Sequence, residues 1–262
     1  MKIFSLTVWT LVVLAAITGS ASAHFGMVIP SKNIITPDNK NLHLTLSFSH
    51  PFERIGMDLE KPARFFMHVN GHDTDLLATL QPATVMEHRA WQTDMHIKRP
   101  GVYWFAMVPR PYWEPAEDLY IIHYTKTVAA AFGDDRGWDV PLGLETEIVP
   151  LLRPFGNYRG NSFSGQVLIK GKPAANTDVE VELYNREGRF SAPGDYHVTQ
   201  VVKTDANGMF TFTCPQSGWW GFSALSEADY TLKGPDGKDK NVEIGAILWI
   251  YLDEYETAGF AQ

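Results

Sequence analysis

Three histidines stand where their ring nitrogens could converge on one metal ion. His50 ends the stretch "NLHLTLSFSH", in which Leu42, Leu44, Leu46 and Phe48 alternate with polar residues. A strand with that period of two points all its even positions one way, so His50 turns towards the core at the strand's last position. His123 shares a face with Leu119 and Ile121 in "LYIIHYTK" and turns inward in the same way. An inward histidine is either a core residue with satisfied nitrogens or a ligand, and His24 decides between the two. It follows "TGSASA", a small-x-small cleavage pattern, and would become the first residue of the processed chain. An N-terminal histidine offers its amine and its ring Nδ1 to one ion as a chelate. With His50 and His123 the set reaches three or four nitrogens, which suits copper, nickel, cobalt or zinc alike. Each nitrogen must be deprotonated to bind.

Other chemistry is absent from the sequence. His43 and His96 fall on polar strand faces, His68 and His72 flank the Asn70-Gly71 turn, and His88 and His197 have no supporting context. There is no HExxH, paired CxxC or phosphate-binding glycine loop, and "GNSFSG" lacks the spacing of a nucleophile elbow. No catalytic residue is expected.

Residues 1–23 read as a secretory signal, with Lys2 ahead of the apolar "IFSLTVWTLVVLAAI". That run is too short for a membrane span, so the processed chain is expected to be periplasmic and not membrane-spanning. Beyond it stand 21 basic and 30 acidic residues, a balance that argues against nucleic acid as a partner. The single Cys214 cannot form an internal disulfide, so burial must stabilise the fold.

The elements that would position the histidines are strands. "RAWQTDMHI" alternates, "ARFFMHVNGHDTDLLA" places an Asn-Gly pair between apolar residues, and "RPGVYWFAMVP" is a turn followed by an aromatic strand. "DLYIIHYTKTVAAAF" begins as a strand, although its alanines also allow a short helix. A break is expected in "LLRPFGNYRGNSF", rich in proline, glycine and asparagine. The fold expected is all-β, with two β-sandwich domains. The first spans 24–153 and holds the metal. The second spans 160–256 and is a small Greek-key sandwich, Ig-like or transthyretin-like. "VPRPYWEP" reads as a stiff loop, either packed or a partner contact. "SGWWGF" reads as a packed strand with one exposed tryptophan.

The strings "AHFGMVIPS", "FSHPFE", "GVYWFAMVPRPYWEPAEDLYIIHYTK", "GWDVPLGLETEIVPLLRP" and "FSGQVLIKGKPAANTDVEVELYN" resemble a group of exported bacterial proteins. Many of these have no assigned function; the group is associated with periplasmic components of nickel or cobalt uptake, encoded beside energy-coupling-factor type transporters. The resemblance covers nearly the whole chain beyond the leader. It implies a non-enzymatic carrier whose partners are the metal ion and a membrane transporter component. Residue by residue it points to His24, to His50 in "HPFE", to His123 with Lys126 in "HYTK", and to Glu147 in "EIVP". Two other readings stay open. One is a copper protein, either a chaperone or an enzyme resembling polysaccharide monooxygenases. The other is a carbohydrate-binding or adhesion module, for which 13% aromatic residues are adequate.

Overall fold

A computed structural model describes residues 24–256; the expected signal peptide lies outside the described residues. The described chain is built from strands, with two three-residue 3-10 turns at Leu77–Thr79 and Asp195–His197. The all-β sandwich expected from the alternating patterns is the fold observed. Among the described residues no helix is long and apolar enough to cross a membrane.

Three main sheets form the body. The largest has eleven strands, and its spine runs Gln200–Lys203, Asp178–Leu183, Gly218–Glu227, Val242–Asp253, Leu119–Ala131, Gly101–Val108, Arg64–Val69, His72–Asp75. A five-stranded sheet orders Phe25–Pro30, Asn41–His50, His88–His96 and Gln81–Val85, with Ile55–Met57 beside Asn41–His50. A four-stranded sheet carries Thr146–Pro150, Ser162–Ile169, Lys172–Pro173 and Met209–Thr213.

Leu119–Ala131 explains how these layers share one frame. Its odd positions Ile121, Ala129 and Ala131 enter a core with Leu42, Leu44, Leu46 and Phe48 of the five-stranded sheet. Its even positions Val128 and Ala130 enter a second core with Val167, Phe163 and Phe222. A strand covered on both faces can be apolar throughout, which is why this segment loses strict alternation after Tyr124. The alanines that left a helix open are strand. They are small because both faces are packed at close range. The strand pairs antiparallel with Gly101–Val108 on one side and parallel with Val242–Asp253 on the other, His123 lying opposite Gly245.

Phe25–Pro30 is buried along its whole length. Phe25, Met27 and Ile29 pack on Trp219, Ile247 and Trp249, while Val28 faces the core that holds Phe48. The Trp249 indole N–H donates to the Gly26 carbonyl at 2.8 Å. Full burial of one such large side chain contributes roughly 2–3 kcal/mol, so this small cluster alone fixes the strand that begins the site. At the expected hairpin, Val69 pairs with His72, and Asn70 and Gly71 adopt φ of 51° and 78°. Two successive positive φ values are the two-residue turn that Asn-Gly favours. In "SGWWGF" both Trp219 and Trp220 are buried, where one exposed tryptophan was expected. Trp219 is covered because the strand has packing layers on both faces. Cys214 is buried and free, and burial pushes its thiol up to about 12.

Candidate metal centre

The register of the five-stranded sheet brings the first two histidines together. Phe25 lies opposite Ser49 and Gly26 opposite Phe48. Carried back one residue, the same register sets His24 opposite His50, and their ring centroids lie 4.7 Å apart. Phe48 is the wall between these rings and the third. It stacks on His24 at 5.7 Å, meets the edge of His123 at 5.7 Å and packs on Tyr112 at 5.0 Å. His24, just ahead of the strand Phe25–Pro30, and His50 thus sit together on one side of Phe48, and His123 meets the edge of the same ring.

Two glycines make room for His123. A Cβ on Gly245 would lie 2.5 Å from Cδ2 of His123 and 2.9 Å from its Nε2, so the imidazole rests on bare backbone of the neighbouring parallel strand. A Cβ on Gly26 would collide with the Thr125 hydroxyl and press on the His123 backbone. Gly245→Ala is therefore expected to displace the His123 ring. The measurement is nickel affinity by calorimetry beside thermal unfolding. A loss of tenfold or more in affinity, with Tm shifted by only a few degrees, fits this geometry. Unchanged affinity would mean that His123 is no ligand.

Two carboxylates that the sequence did not assign to the histidines hold the rings. His24 Nε2 lies 3.2 Å from Glu114 Oε2, and the other Glu114 oxygen accepts the Ala116 N–H at 2.9 Å. His123 Nε2 faces Glu243 Oε1 at 3.4 Å. A proton on each Nε2, turned to its carboxylate, leaves Nδ1 as a lone pair. In His123 that Nδ1 is buried and has no hydrogen-bond partner. A buried imidazole nitrogen without a partner is rare, and a metal ion is one of the things that satisfies it. Carboxylates on the outer nitrogens of ligand histidines fix the tautomer and raise ligand basicity. Where "VPRPYWEP" reads as a loop, Tyr112–Glu114 is a strand that turns back along Leu119–Ile121. Glu243 carried no local signal at all, since a parallel partner 120 residues away sets its position.

The site's electrostatics keep the His24 ring neutral. Burial, then the neighbouring His50 and His123, pull the His24 imidazole down to about 4, while Glu114 and Glu243 pull weakly the other way. A ring that stays unprotonated at neutral pH is ready to donate a lone pair. The Glu117 carboxyl is pushed up by burial and by the nearby Glu243 and Glu114 charges, so negative charge is concentrated at this rim, as a cation would favour. Among the described residues, no group of three His, Cys, Asp or Glu side chains is placed to hold a metal ion as it stands.

The remaining candidates lie elsewhere. Lys126 is three positions beyond His123 and points to the opposite face, where its Nζ bonds Glu147 Oε2 at 2.7 Å, fully buried. Glu147 also accepts the N–H groups of Leu142 and Gly143, both at 2.9 Å. This is a structural ion pair whose carboxylate accepts three hydrogen bonds, and removing one partner would leave a buried charge, at a cost of about 3–5 kcal/mol. Burial lowers the Lys126 ammonium. His43 pairs with Asp94 at 2.9 Å and His96 with Asn41 at 2.7 Å on the exposed face, as their polar alternation implied. His68 pairs with Asp73 and His88 with Asp58.

No curated protein sequence matches the chain. Among solved structures it is similar to the D0-D1 domain of intimin, at 11% identity over 86% of this chain and 99% of that one, with a TM-score of 0.23. It is similar at the same identity and TM-score to a two fibronectin type-III domain segment from chicken tenascin, over 85% and 97% of the two chains. A putative carbohydrate binding protein from Bacteroides uniformis matches at 11% identity over 74% and 90%, also with a TM-score of 0.23. Scores this low carry no functional argument. The family model described as "Domain of unknown function (DUF4198)" matches residues 21–228, which include His24, His50 and His123, and the chain belongs to that family.

Proposed function

We propose that this protein is an exported carrier that binds nickel or cobalt through His24, His50 and His123 and delivers the ion to a membrane uptake transporter. The reading is supported by the buried, partnerless Nδ1 of His123 and by the close pairing of the His24 and His50 rings. The ion is cargo, and the protein performs no reaction on it. Few ligands and an open coordination position suit exchange better than a closed four-ligand structural site. Nitrogen donors bind copper more tightly than nickel or cobalt, so in this reading the choice of nickel or cobalt comes from the resemblance to nickel and cobalt uptake components and not from the donor set.

The test is the N-terminus. If the amine of His24 is a ligand, one extra residue before it removes that donor while leaving every side chain in place. Nickel affinity of protein starting at His24 is expected to exceed that of a Met-His24 version by tenfold or more in calorimetric titrations. Equal affinities would remove the amine from the site and the chelate with it. Elemental analysis of the processed protein from its native compartment then identifies the ion.

A further inference from the structure

Two cavities away from the histidines share a wall. The first, of about 440 Å³, is lined by Trp219, Tyr251, Asp253 and Phe190. The second, of about 280 Å³, lies against the five-stranded sheet and is lined by Thr45, Ser47, Thr84 and Gln92. Ser31, Tyr184 and Arg186 line both, so the two adjoin as one groove. The polar groups of the first cavity are uncommitted. Trp104, Trp220 and Trp249 are buried, and each indole N–H donates to a backbone carbonyl at 2.8–3.0 Å. Trp219 is buried too, yet its N–H has no acceptor among the described residues. A buried indole N–H ordinarily finds a partner. Unlike His123 Nδ1, this N–H is not closed off from solvent, so its partner can come from the cavity. Tyr184, Tyr251 and Asp253 are half-buried, and their hydroxyl and carboxylate oxygens bond none of the described residues and are not closed off either. Burial pushes the Asp253 carboxyl up. The wall itself is firm. Asn185 Nδ2 donates to the Phe52 and Phe190 carbonyls and its Oδ1 accepts the Phe190 N–H, which pins the loop after Tyr184. Trp219 meets the edge of Tyr251 at 5.3 Å.

We propose that this groove binds a neutral oligosaccharide. A sugar ring has apolar C–H faces and a rim of hydroxyls, each of them both donor and acceptor. Its faces suit the half-buried rings of Tyr184 and Tyr251 and the exposed ring of Phe190. Its hydroxyls can accept from the Trp219 N–H and the Arg186 guanidinium and donate to the Asp253 carboxylate. An aromatic wall with a few placed polar groups is the usual make-up of a small-molecule site, and both volumes are of the size such sites have. The mixture of groups decides the charge of the ligand. An anion would be repelled by Asp253 and an amine by Arg186, whereas a polyol matches donors and acceptors together. Thr45, Ser47 and Gln92 continue the groove with hydroxyl and amide groups, so it accommodates more than one ring. None of these residues touches the three histidines, and the proposal stands apart from the metal reading.

The experiment titrates protein that begins at His24 with cello-, xylo-, malto- and N-acetylchito-pentaose, and with pentagalacturonate as the charged comparison. Calorimetry and indole fluorescence read the binding. At least one neutral pentaose is expected to bind, at least tenfold more tightly than its monosaccharide, and to shift the fluorescence. Asp253→Asn should weaken that binding about tenfold and Tyr251→Phe about threefold, with thermal unfolding as the check that both variants fold. Added nickel should leave the sugar affinity within twofold. Binding that both variants leave within twofold would place the sugar elsewhere and overturn the proposal. Tighter binding of pentagalacturonate than of every neutral pentaose would overturn the neutral class. If no pentaose binds at millimolar concentration the groove proposal fails, while a nickel titration of the same protein judges the metal reading on its own.

Discussion

His50→Ala is expected to lower nickel or cobalt affinity by about a hundredfold, and His43→Ala to change it by less than twofold. Both histidines lie on the strand Asn41–His50, seven positions apart and on opposite faces. His43 is half-exposed and already bonded to Asp94, while the His50 ring lies 4.7 Å from that of His24. Loss of one of three or four ligands exceeds the 10–100-fold typical of losing an outer-shell partner. Calorimetric titration of the two variants measures the contrast, with thermal unfolding as a check that both fold. Equal affinities in the two variants would exclude His50 as a ligand. Glu114→Gln provides a graded comparison. It keeps an acceptor near His24 Nε2 but removes the charge, so a smaller loss is expected.

The second large effect is on stability and lies at alkaline pH. Glu182 is fully buried, accepts the Phe52 N–H at 3.2 Å and is bonded by the Thr199 hydroxyl. Burial raises its carboxyl to about 8, against the pull of those two hydrogen bonds and aided by the Glu180 and Glu53 charges. Glu180, two residues earlier on the same face, is raised to about 7, first by burial and then by Glu243. A raised carboxyl holds its proton in the folded state over a range where the unfolded chain has released it. The associated stability is whole below about pH 4.5 and is lost as pH rises through 8. For Glu182 the loss by pH 7.5 is on the order of 3–4 kcal/mol, taking about 1.4 kcal/mol per unit. Glu182→Gln keeps an acceptor for the Phe52 N–H and can turn its amide NH₂ to the Thr199 oxygen, without a titrating proton. The variant should therefore match wild type near pH 5 and unfold at a clearly higher temperature at pH 8.5. Parallel curves of Tm against pH would show that Glu182 is ionised throughout. The lowered His24 ring acts in the opposite sense, removing stability as pH falls from 6.5 towards 4. The metal-free protein should be most stable at mildly acid pH.

Local pattern made the histidines legible and left their partners hidden. Strict alternation in "NLHLTLSFSH" determined which way His50 points, because a period of two leaves no choice once four apolar residues share a face. The same reasoning placed His123 inward and His43 outward. Alternation says nothing about which strands are neighbours. Whether His24 and His50 meet depends on the register of an antiparallel pair, and whether Glu243 meets His123 depends on a parallel pair joining the middle of the chain to its end. Glu114 was hidden for a different reason. Three prolines in "VPRPYWEP" signal a loop, and the short strand that re-aims Glu114 at His24 is stabilised by tertiary pairing with Leu119–Ile121. The glycines that seat His123 look like ordinary strand glycines until the ring lying over Gly245 is seen.

The bond from Trp249 to Gly26 spans 223 residues. Such contacts dominate the frame around the histidines, and a topology rich in distant pairings folds slowly because long loops must close before any contact rewards them. The strand that bears Trp249 is also the one against which His123 is seated, and it is the last long strand to leave the ribosome. A nascent or truncated chain therefore has all three histidines without the surface that aligns them. Under the proposed reading, alignment of the three histidines is therefore a property of the finished topology, acquired in the final step of folding.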